Sequence, residues 1–66
     1  MYYEVVAKLA EEKGISIKAL EQMSGLGNGT VGKWKTNKPN IGNLEKVAAV
    51  LEVKVVDIIR ASEKET

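Results

Sequence analysis

The stretch that decides the fold runs from Ser16 to Thr36: Ser16-Ile17-Lys18-Ala19-Leu20-Glu21-Gln22-Met23-Ser24-Gly25-Leu26-Gly27-Asn28-Gly29-Thr30-Val31-Gly32-Lys33-Trp34-Lys35-Thr36. Its first half predicts a helix over about 17–24, capped by the Ser16 hydroxyl, with Leu20 and Met23 facing inward. Gly25-Leu26-Gly27 then breaks the chain while keeping one apolar anchor, Leu26. Gly25 stands where the chain must reverse, a place that favours φ > 0. Asn28 can cap a third helix over about 28–36, where Val31 and Trp34 recur at helical spacing. Two helices joined by a tight glycine turn have the helix-turn-helix layout. Leu20, Leu26, Val31 and Trp34 are its small core, which leaves the outer face of the second helix free.

Helical periodicity continues on both sides. Val5, Val6, Leu9 and Ala10 form the stripe of a helix over about 2–13, ended by Lys13 and Gly14. Asn37-Lys38-Pro39-Asn40 is a turn and holds the only proline. Asn40 can cap a helix over about 41–51, with Ile41, Leu44, Val47, Ala48 and Leu51 inward. Val53 leads to a last helix over about 55–62, carrying Val55, Ile58 and Ile59. The run from Val53 to Ile59 is β-branched and competes as a strand. No other segment reads as its partner, so the consistent expectation is all-α, a five-helix bundle over residues 1–62 with a fraying polar tail at 63–66.

Composition narrows the chemistry. The 66 residues include no Cys and no His, which excludes disulfides and thiolate or imidazole metal sites. It also excludes Cys catalysis and a His-assisted Ser nucleophile. Glu11 and Glu12 are adjacent and so lie on different helix faces, and Asp57 stands alone. No acid–base pair emerges, and neither an enzyme nor a cofactor is expected. No apolar run reaches 18 residues. Met1-Tyr2-Tyr3-Glu4 lacks the marks of a signal peptide, so the expected location is the cytoplasm.

Net charge is only +1, but its distribution is uneven. Residues 22–44 hold Lys33, Lys35 and Lys38 and no acid, while the segments on either side are each slightly acidic. The same stretch carries Asn28, Thr30, Thr36, Asn37, Asn40 and Asn43. Cations among neutral hydrogen-bonding groups suit a phosphate backbone. Three lysines on a solvated face are the plainer reading.

At this point the chain resembles the phage-repressor-like helix-turn-helix domains of the Cro and lambda-repressor type, often called the Xre family. Leu20, Gly25, Leu26, Val31 and Trp34 match the framework of the motif. Leu44, Val47, Ala48, Leu51, Val53, Ile58 and Ile59 match its closing helices, and Glu12-Lys13-Gly14-Ile15-Ser16 its lead-in. Gly27-Asn28-Gly29-Thr30-Val31-Gly32-Lys33-Trp34 resembles a subset among repressors of Gram-positive bacteria and their phages. The resemblance spans about residues 3–60. It implies a transcriptional regulator that binds double-stranded operator DNA, commonly as a homodimer, with the third helix in the major groove.

Carried over position by position, the resemblance makes Asn28, Gly29, Gly32 and Lys33 base-reading, with Thr30 at the groove's rim. Asn bonds an adenine edge and Lys reaches guanine acceptors. A plain N-cap remains the competing role for Asn28, and a solvated surface position for Lys33. Phosphate contacts fall to Ser16, Ile17, Lys18, Lys35, Thr36, Asn37, Lys38, Asn40 and Asn43. Four departures from the family stand out. Glu21 occupies a usually small position, and Ser24 replaces a usual Leu, with Met23 offered as the filler. Ile17 replaces a frequent Gln. Glycines at 29 and 32 leave few side chains to read sequence. That thin readout admits a second function, an antirepressor or co-repressor that binds a partner repressor. Tyr2, Val50, Val56 and Ile59 are its candidate protein interface, equally usable by a homodimer.

Overall fold

A computed structural model describes residues 1–64; the last two residues of the expected tail lie outside the described residues. Four α-helices carry the chain: α1 (Tyr2–Lys13), α2 (Ile17–Met23), α3 (Ile41–Leu51) and α4 (Val55–Ser62). No strand occurs among the described residues, and 55–59 is helical. No helix among them is long and apolar enough to cross a membrane.

The helix ends follow from local chemistry. Ser16 Oγ accepts from the Ala19 amide at 3.0 Å, and Asn40 Oδ1 from the Asn43 amide at 2.7 Å. Each satisfies an N–H that the first helical turn leaves unpaired. Gly14 closes α1 in the left-handed conformation, as its place after Lys13 suggests. Gly25 has φ +74°, and the Leu26 amide bonds back to the Glu21 carbonyl at 2.8 Å. Glu52 ends α3 in the same left-handed region, at φ 61°, where glycine is the usual residue. Its carboxylate meets Lys13 Nζ at 2.9 Å, linking the ends of α3 and α1.

One core joins all the elements: Tyr2, Val6, Ala10, Leu20, Val31, Trp34, Leu44, Val47, Ala48, Leu51 and Ile58. α1 packs on α4 and on the segment around Trp34, α2 packs on α3, and α3 on α4. Apolar burial of this kind is the dominant favourable term in so small a domain. The two ends of the described chain meet, with the Met1 ammonium donating to the Ser62 carbonyl at 3.2 Å. Tyr2 also donates its hydroxyl to Glu63, a residue expected in the fraying tail.

Four expectations need correction. The expected third helix over 28–36 is not an α-helix. Residues 28–31 form turns, and a single 3₁₀ turn follows over Gly32–Lys35, so the bundle has four α-helices, not five. Gly29 explains the difference: its φ of +85° lies outside any right-handed helix. Met23 is 58% exposed and Ile41 54% exposed, although both lie on the predicted inner stripes. Each is the end residue of its helix, Met23 the last of α2 and Ile41 the first of α3, at the outer limit of its buried stripe. Tyr2 is buried and so is not part of a surface interface. Only one of the two adjacent tyrosines can face the core, and it is Tyr2.

Candidate nucleic-acid interface

The segment from Gly27 to Lys35 is short of regular hydrogen bonds. Its own backbone supplies Thr30 N–H to the Gly27 carbonyl at 3.1 Å, Lys33 N–H to Gly29 at 3.2 Å and Trp34 N–H to Val31 at 2.9 Å. The apolar anchors Val31 and Trp34 fix its inner side in the core. A further hold comes from α2. The Glu21 carboxylate accepts from the Gly29 amide at 3.1 Å and from the Val31 amide at 2.9 Å. Glu21 is only 4% exposed, so its charge is spent on two backbone donors instead of facing solvent.

Asn28, Gly29 and Lys33 are exposed, with Thr30 and Gly32 half-buried. No side chain caps the 3₁₀ turn, so Asn28 is not the N-cap its type and place suggest. Asn28, Gly29 and Gly32 line a shallow cleft of about 370 Å³ together with Tyr3, Ile17, Lys18 and Glu21. The start of α2 and the turn segment thus form one concave surface, bringing together members of the expected base-reading and phosphate-contacting sets.

The other expected phosphate residues are more dispersed in role. Ser16 and Asn40 cap helices, and the Asn43 amide is the donor to the second cap. Thr36 Oγ1 donates to the Lys33 carbonyl at 3.4 Å, and the Asn37 amide to the same carbonyl at 2.9 Å. Lys35 Nζ lies 4.8 Å from the centroid of the Tyr3 ring, within cation–π reach. Lys38 Nζ pairs with Glu63 at 2.7 Å. That ion pair holds the Glu63 carboxyl below its ordinary value, helped by the Tyr2 hydroxyl bond. Lys18 and Lys33 enter no ion pair among the described residues.

Two members of the site are not evident from sequence. Tyr3 lines the cleft and faces Lys35, an arrangement that only the folded packing of α1 reveals. Glu21 stands in the cleft although the sequence after it is free of acid as far as Leu44. In sequence it is only a large residue at a usually small position. The signal for its role is the glycine-rich segment itself, whose backbone donors require an acceptor from elsewhere.

The expected apolar interface is thinner than its sequence pattern. Val50 and Ile59 pack partly against the core, and Val56 is 43% exposed. Met23 does not fill the space beside Ser24, whose buried hydroxyl has no partner among the described residues.

No curated protein matches the chain, and no solved structure does. A family model described as Cro/C1-type HTH DNA-binding domain matches residues 6–64. That span takes in all of α2, the turn segment, α3 and α4 and most of α1. The chain therefore belongs to the Cro/C1-type HTH DNA-binding domains, a family of DNA-binding transcription regulators.

Proposed function

We propose that this domain is a sequence-specific repressor of phage or bacterial type that sets the segment 28–35 in the major groove of operator DNA. The observation that carries the reading is the shared cleft, which places Ile17 and Lys18 beside Asn28, Gly29 and Gly32. Asn28 and Lys33 are the exposed side chains able to reach base edges, by bonds to adenine and guanine acceptors. Lys18 and Lys35 neutralise phosphates on either side, with the amides at the start of α2 as further donors. Glycine at 29 and 32 lets the backbone approach DNA closely, since no Cβ stands in the way. The expected operation is as a homodimer on two half-sites about 34–36 Å apart. A cytoplasmic, nucleoid-associated location follows from that role.

The alternative, action through a partner repressor, has less apolar surface behind it now that Tyr2 is core and Val50 and Ile59 are partly covered.

The test is selection of bound duplexes from a randomised library, followed by gel-shift titration. The native domain should enrich one site. Asn28→Ala with Lys33→Ala should lose preference at individual base positions while still binding random duplex. Affinity should fall as salt rises, by roughly 0.9 log units per log unit of salt for each phosphate neutralised. Binding indifferent to both sequence and salt contradicts the proposal.

A further inference from the structure

We infer that Glu21 is a positioning residue for DNA readout, holding the turn at Gly29 and Val31 so that Asn28 at the cleft, and Thr30 and Lys33 further along the same segment, stand at fixed places. The inference rests on the DNA-reading role proposed above and adds a residue that touches no DNA itself.

Three observations support it. The reading segment is not a regular helix, so its shape does not follow from an i to i−4 ladder. Gly29 and Gly32 widen its conformational choice, and Gly29 sits at φ +85°. Against that freedom, the Glu21 carboxylate makes two charge-assisted bonds to amides two residues apart in the same turn. Both side-chain bonds go to this turn, and none goes to α1, α3 or α4. A carboxylate on a DNA-facing surface ordinarily repels phosphate. Here burial and two backbone donors turn its charge inward.

The experiment uses the whole chain and duplexes selected from a randomised library by the native protein. The variants are Glu21→Gln, which keeps the shape but only one acceptor oxygen, and Glu21→Asp, which keeps the charge but shortens the reach. Both should retain the helices by circular dichroism and still bind random duplex, since phosphate contacts carry that affinity. Discrimination between selected and random duplex should fall about tenfold or more, the worth of one well-placed bond to a base edge. Amide exchange at Gly29 and Val31 should quicken about tenfold or more, while Leu20 and Val47 keep their protection. Native discrimination in both variants overturns the inference alone. Loss of the helices in both also overturns it, because Glu21 would then be a determinant of the whole fold. If the native protein enriches no site, the DNA-reading role fails and the inference fails with it.

Discussion

Glu21 Oε2 accepts a hydrogen bond from the Val31 amide at 2.9 Å, across ten residues of chain that include every glycine of the reading segment up to that point. Through that bond, and its twin at Gly29, a helix that packs on the core governs a turn that has little regular structure of its own. The relationship turns a composition unfavourable to helix into a defined surface. It also gives a role to a large acidic residue at a place that is usually small in the family the chain resembles.

The two glycines of the reading segment should respond differently to alanine. At Gly29 a Cβ meets nothing within 4 Å, but the φ of +85° strains any side chain. Gly29→Ala should cost about 1–2 kcal/mol, the usual penalty of a left-handed residue with a Cβ. Gly32 has an ordinary φ and equally open space, so Gly32→Ala should hold or slightly raise stability. The added methyl stands in the cleft, however, and should weaken DNA binding. Thermal denaturation and gel shift on the two variants separate these effects.

Tyr2 makes stability sensitive to alkali. Burial pushes its hydroxyl up from 10.0 to about 12, aided by the bond to Glu63 and by the charge of that carboxylate. The folded value lies above the unfolded one, so the protonated hydroxyl favours the native state. That contribution is complete below pH 10 and is lost progressively as pH rises through about 12. Tyr2→Phe should show a flatter decline of stability between these limits, measured by urea denaturation at stepped pH.

The chemistry that can be read from local sequence is legible here. Ser16 and Asn40 cap as their types suggest, Gly14 stops α1, and Leu44, Val47, Ala48 and Leu51 form the buried stripe of α3. Trp34 is core, as its spacing from Val31 indicates. What is not legible depends on partners distant in sequence. The turn at 28–31 owes part of its shape to Glu21, and Lys38 finds its ion-pair partner in Glu63. Tyr2 enters the core on the row that continues four and eight residues on at Val6 and Ala10, while Tyr3 turns toward the cleft. For the site, Asn28, Gly29, Gly32, Ile17 and Lys18 are readable through the family resemblance, and they share the cleft. Tyr3 and the tethering role of Glu21 emerge only in three dimensions.

Glu52 offers a test of backbone strain. Its left-handed conformation, φ 61°, suits glycine, while its carboxylate bonds Lys13. Glu52→Gly and Glu52→Ala both lose that bond, so the difference between them isolates the backbone. The glycine variant should melt about 4–8 °C above the alanine one, the shift expected for ~1 kcal/mol in a domain of this size. Equal melting temperatures would mean that the helix end adjusts without strain.

The cleft between the start of α2 and the reading segment is, on this account, the DNA-facing surface. Titration of the isotope-labelled protein with its selected duplex, followed by amide chemical shifts, tests it directly. The largest changes should fall at Ile17, Lys18, Asn28, Gly29, Gly32 and Lys33, with Val56 and its neighbours on α4 little moved. Changes concentrated on α4, with the cleft amides unchanged, would contradict the account.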